Sequence, residues 1–95
     1  MLNSKSIIPL YYYSRKRIKS IGIQWQNNKS DMEAAEAIKD KELRELFIEI
    51  VQVFYSEYYG DIIDTSLDKS NFYKKLESYI KKQKNIFSYY FNKII

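Results

Sequence analysis

The run Tyr11-Tyr12-Tyr13-Ser14-Arg15-Lys16-Arg17-Ile18-Lys19 sets three aromatic rings directly ahead of four cations. Aromatic faces can stack on unpaired bases while adjacent Arg and Lys meet phosphates, so this run is a candidate nucleic-acid contact. In a helix, consecutive side chains point about 100° apart, so at most two of the three rings can serve one surface. The candidate contact residues are Tyr12, Arg15, Lys16, Arg17 and Lys19. No aromatic strand motif of the RRM kind accompanies them. The competing reading puts some of these tyrosines in the core and leaves the basic run as a solvated face.

Two sets of carboxylates invite a chemical reading. Asp61, Asp64 and Asp68, with Glu57 nearby, carry the residue type a divalent cation prefers. Their spacing departs from an EF-hand loop, which needs a Gly at its sharp turn and an acid at its last position. They read as ordinary acids around a helix start. Glu42, Glu45 and Glu49 recur at steps of three and four. Paired carboxylates act as acid and base only in clefts that separate their pKa values. On a helix these three read as its outer face, a strip able to dock a basic partner.

A third candidate lies in the last residues, Ile86-Phe87-Ser88-Tyr89-Tyr90-Phe91-Asn92-Lys93-Ile94-Ile95. Phe87, Tyr90, Phe91, Ile94 and Ile95 exceed what one small core absorbs unless another element covers them. Tyr90, Phe91 and Ile94 are therefore the candidate partner-binding residues, for another protein or a second copy of the chain. A helix lying on a membrane surface, with Lys81, Lys82, Lys84 and Lys93 near head groups, is the alternative use.

The absences exclude more than these runs establish. The chain has no Cys and no His. Disulfide scaffolds, Cys nucleophiles, His bases and Cys/His zinc sites all fall away. Neither a cofactor nor a metal is expected, and the chain is not expected to be an enzyme. No apolar run approaches the roughly 20 residues that span a bilayer. Ile7–Tyr13 is too short for a membrane span and is followed by Arg15, Lys16 and Arg17, and without a small-residue cleavage site it is not expected to be a signal peptide. Residues 1–30 share the basic, acid-free composition of a mitochondrial transit peptide, but an intracellular, cytoplasmic protein is the expectation.

Charge is distributed in three blocks. Residues 1–30 carry six basic residues and no acid. Residues 31–68 carry eleven acids against Lys39, Lys41 and Arg44. Residues 69–95 carry seven Lys against Glu77. A net charge of +4 thus hides an acidic middle between two basic ends. Folding the ends back onto the middle would neutralise part of this internally; left open, the ends would attract a polyanion or an acidic partner.

The elements that must position these residues are legible as helices. Ser30-Asp31-Met32-Glu33 forms a capping box, which starts a helix near residue 31. Leu43, Leu46, Phe47, Ile50, Val51, Phe54 and Tyr58 make one apolar stripe. Met32, Ala35 and Ile38 lie out of phase with it, which predicts a break at Lys39-Asp40-Lys41 with Asp40 as a second cap. Gly60 is the expected terminator. Ile62, Ile63 and Leu67 are expected to fold back onto the core. Another helix begins near Lys69, capped by Asp68 or Ser66, and runs nearly to the end with fraying near Asn85. The first 30 residues read as a helix over about 8–20, opened by Pro9, then an extended segment to Asn28. A hairpin pairing Ile7–Tyr13 with Ile21, Ile23 and Trp25 is the alternative.

These elements predict a single all-α domain over residues 1–95, a bundle of three or four helices. Residues 1–29 form a basic aromatic arm or helix, 31–59 an acidic helix or kinked pair, and 69–93 a basic helix antiparallel to the acidic one. The expected function is a non-enzymatic binding protein, a subunit, adaptor or inhibitor working through protein–protein contacts. Nucleic-acid or ribonucleoprotein association through the basic ends is the second class. A third is action at a membrane or membrane complex, as bacteriocin immunity proteins do. The chain resembles those proteins in size, charge and helicity, and no motif carries that likeness. A homo-oligomer is also among the expected assemblies.

Overall fold

Pro9 opens the first of the four helices among the described residues. They run α1 (Ile8–Lys19), α2 (Asp31–Glu36), α3 (Lys41–Gly60) and α4 (Lys69–Ile94). The computed structural model describes residues 1–63 and 66–94, with residues 85–94 as backbone alone. Among the described residues there is no strand, so the hairpin does not form and the N-terminal stretch is a helix.

Proline suits the first turn of α1 because the N–H it lacks has no partner there anyway. Ile7 at the N-cap offers no side-chain cap and the first turn holds no acid, while the Ser6 hydroxyl accepts the Ile8 N–H at 3.1 Å. Glu57, from α3, completes that end. Its carboxylate accepts the Ile7 N–H at 2.9 Å and the Ser6 hydroxyl, placing negative charge at the positive end of the helix dipole. At the other end Lys16, Arg17 and Lys19 suit the negative pole. Leu10, Tyr11, Ser14 and Ile18 form the buried face, and the Ser14 hydroxyl donates to the Leu10 carbonyl at 2.7 Å. That bond satisfies a polar group inside an apolar face without a partner from another helix.

Ser30 caps α2 as its sequence predicts, accepting the Glu33 N–H at 3.2 Å. The reciprocal bond differs from a full capping box: the Glu33 carboxylate takes the Ser30 hydroxyl, not a backbone N–H. The break then falls where the two apolar phases disagree. Asp40 caps α3 through the Leu43 N–H at 3.0 Å, and Arg44 braces the corner by donating to the Ile38 carbonyl at 3.0 Å.

Leu43, Leu46, Phe47, Ile50, Val51, Val53 and Phe54 bury the stripe of α3. Tyr58, expected to belong to it, is 56% exposed because the core ends one turn earlier. Gly60 is not the terminator. It is the last helical residue, and Asp61 takes the left-handed conformation at φ 54°. The Asp61 N–H donates to the Glu57 carbonyl, the 5→1 bond of an αL cap, and the Ile62 N–H donates to the Ser56 carbonyl. Asp tolerates this conformation better than a branched residue does, so the turn does not need the glycine. It turns Ile62 and Ile63 outward, exposed by 62% and 50%, against the expectation that they join the core. Leu67 alone of the three is buried.

Asp68 caps α4 through the Asn71 N–H at 3.0 Å. Phe72, Leu76, Tyr79 and Ile80 supply its buried face. The helix continues through Asn85, where fraying was expected, to Ile94.

Long-range bonds fix the topology. The Lys69 ammonium donates to the carbonyls of Ser4 and Ser6, while Glu57 holds Ser6 and Ile7. The start of α4 and the end of α3 thus meet at the start of α1. Tyr79 lies beside Asp40 at the start of α3. The acidic α3 and basic α4 are therefore antiparallel, and α1 runs parallel to α4. The core lies among these three helices, with α2 folded against α3.

Candidate functional site

The face of α1 turned away from α4 combines rings and cations. Tyr11 is fully buried, its ring stacked on Phe54 at 4.1 Å between centroids and its hydroxyl donating to Asp31 at 2.5 Å. Burial, then the bond to Asp31 and its charge, pushes the Tyr11 phenol well above its ordinary pKa. Tyr13 turns toward α4, where its hydroxyl donates to Glu77 at 2.5 Å. Of the three consecutive rings only Tyr12 faces solvent, 48% exposed.

The cations divide in the same way. Arg17 makes a two-pronged contact with Glu77, at 3.0 Å through Nε and 2.8 Å through Nη2. The bond from Arg17 holds the Glu77 carboxyl below the usual carboxylate range, and the Tyr13 bond adds to it. Arg17 is thereby committed to the α1–α4 contact. Among the candidate nucleic-acid residues Arg17 stands apart, its guanidinium paired with Glu77 and outside the lining that the others share. Arg15, Lys16 and Lys19 stay together with Tyr12.

These four residues line an open groove of ≈ 560 Å³ with Gln24, Trp25 and Asn27. The Arg15 guanidinium carbon lies 5.1 Å from the Trp25 ring centroid and 5.7 Å from those of Tyr11 and Tyr12. Cation–π attraction to three rings holds it at the wall of the groove. Its contacts to polar groups are long: 3.9 Å to Asp31 and 3.4 Å to the Asn27 amide oxygen. Both leave hydrogen-bonding capacity for a ligand. Trp25 rests on Phe47 of the core at 5.6 Å between centroids, which fixes its plane. Lys16 and Lys19 are exposed at the rim, one helical turn apart.

Of the residues named from the sequence, Tyr12, Arg15, Lys16 and Lys19 come together on one surface. Sequence reasoning missed Gln24, Trp25 and Asn27, which the extended segment after α1 folds back over that helix. The available signal was compositional, since the chain's single Trp sits in a polar run where no core was expected.

The remaining candidates divide further. Glu42, Glu45 and Glu49 are exposed along α3 and form no cleft. Glu57 is consumed by capping α1. Among the described residues, no group of three His, Cys, Asp or Glu residues could hold a metal ion, and no helix is long and apolar enough to cross a membrane. The side chains of Tyr90, Phe91 and Ile94 lie outside the described residues. A second hollow of ≈ 670 Å³ joins the N-terminal segment to the start of α4, but Lys69 within it is engaged with Ser4 and Ser6. In comparison with known proteins, the chain matches no family, no curated protein and no solved structure.

Proposed function

We propose that this chain is a non-enzymatic binding module that holds an anionic partner in the groove between α1 and the segment after it. The observation behind this is the concentration of Arg15, Lys16 and Lys19 in one concavity with no carboxylate among its lining residues. Asp31, 3.9 Å from Arg15, offsets one of these three cations. Around the groove the net charge is therefore locally positive, and oppositely charged ligands are drawn to it. Retention on immobilised heparin tests the reading. Replacing Lys16 and Lys19 with Ala should lower the eluting salt clearly more than replacing the exposed Lys74 and Lys75 of α4, at equal charge change. Equal losses from the two pairs would reduce the effect to bulk basicity and end the proposal.

Protein–protein contact is the second reading, favoured by a separate observation. Tyr58, Tyr59, Ile62 and Ile63 are all at least half exposed at the C-terminal end of α3. The partner it commits to is a second copy of the chain, because a two-fold contact needs only that this patch meet itself. Sedimentation of the intact protein against Tyr59→Ser/Ile62→Ser decides it. A monomer at every concentration rules it out.

A further inference from the structure

Resting on the anion-binding reading, we infer that the ligand of the groove is an unpaired stretch of nucleic acid, its bases stacked on Tyr12 and Trp25 and its phosphates on Arg15, Lys16 and Lys19. Three observations select this chemistry over other anions. The lining includes two large aromatic faces and a guanidinium, all flat groups on which a base can stack. It includes the amides of Gln24 and Asn27, which can both donate to and accept from base edges. It includes no aliphatic side chain, so an acyl chain or the apolar face of an amphipathic helix finds no pocket there.

The geometry also separates single strands from duplexes. Bases in a duplex are paired and stacked on each other, and rings set inside a concavity cannot reach their faces. A splayed base can enter, and Trp25 is already fixed against Phe47 to receive it. Lys16 and Lys19 then follow the backbone along one turn of α1. RNA and single-stranded DNA share this chemistry.

Trp25 is the chain's only tryptophan, so its fluorescence reports the groove alone. The experiment titrates intact protein with a mixed-sequence single-stranded RNA of about 12 nucleotides, within the range of known single-strand sites. Parallel titrations use the same sequence as single-stranded DNA, a blunt DNA duplex, heparin and anionic phosphatidylserine vesicles. The expected result is quenching of Trp25 by a single strand, with affinity falling as salt rises from about 50 to 200 mM. The log–log slope should be about −2, from three cations at roughly −0.7 each. Tyr12→Ala should weaken the single strand about tenfold or more and heparin by a far smaller factor, with the far-ultraviolet spectrum intact because Tyr12 is half exposed. Which single strand binds tighter assigns RNA or DNA.

Two outcomes overturn the inference while sparing the anion-binding reading. One is heparin binding at Lys16 and Lys19 with oligonucleotides no tighter and Trp25 unquenched. The other is duplex or vesicle binding that exceeds single-strand binding and ignores Tyr12→Ala. Binding of none of these polyanions ends both.

Discussion

Tyr11 and Tyr79 are buried and Tyr13 is half-buried; the Tyr11 and Tyr13 hydroxyls donate to Asp31 and Glu77, and Asp40 lies beside Tyr79. Burial raises all three phenols above the usual value near 10, and the neighbouring negative charge raises them further. A group with a raised folded-state pKa contributes stability that is complete below its unfolded value and is lost as pH rises toward the folded one. Stability should therefore hold up to about pH 10 and fall above it. Tyrosinate absorbance should show a late phase coinciding with loss of helical circular dichroism. Complete ionisation of all tyrosines with the helix signal intact would contradict this burial. Phe47 gives the complementary test, since it is wholly buried and carries Trp25. Phe47→Ala should cost about 3–5 kcal/mol, a large part of a small domain's stability. An unchanged melting temperature would remove this face from the core.

At the scale of elements, α1 is held by groups that lie far away in sequence. Glu57 caps its start and Glu77 takes Arg17 and Tyr13 near its end. Because the Glu77 carboxyl is held below its ordinary range, its contribution is present above about pH 4.5 and lost as pH falls through the lowered value. Glu77→Gln should destabilise the fold at neutral pH by about 1–2 kcal/mol, since the pair is partly solvated. The gap between wild type and variant should close in acid. A gap that persists at pH 2 in chemical denaturation would show that charge is not what Glu77 supplies. These contacts mark where reading the sequence stopped. Caps formed within four residues, such as Ser30, Asp40 and Asp68, were legible because spacing alone defines them. Glu57, Glu77 and the return of Trp25 over α1 depend on packing between distant segments, which no local spacing encodes. Gly60 misled because glycine is the commoner left-handed residue, and Asp61 holds that position instead.

Across the whole molecule, the three charge blocks do not simply neutralise each other. The ion pairs among the described residues are Arg17–Glu77 and Arg15–Asp31. The first uses the lone acid of the basic C-terminal block, and among the described residues none of that block's lysines forms an ion pair with α3. The acids Glu42, Glu45 and Glu49 stay in solvent, and so do Lys16 and Lys19, leaving surfaces of opposite sign on one small protein. Among the residues of α4 whose side chains are described, the buried ones are Phe72, Leu76, Tyr79 and Ile80. About fifteen residues of α4 follow Tyr79, roughly 22 Å of helix, beyond the level where Tyr79 meets the start of α3. Deleting residues 89–95 should therefore leave the cooperative unfolding of the body nearly unchanged. If Tyr90, Phe91 and Ile94 serve a partner or a second copy, the same deletion abolishes association in sedimentation or pull-down. Light scattering that finds intact and truncated chains equally monomeric excludes self-association through this tail. If truncation unfolds the monomer, the tail belongs to the core and its role as a partner surface fails.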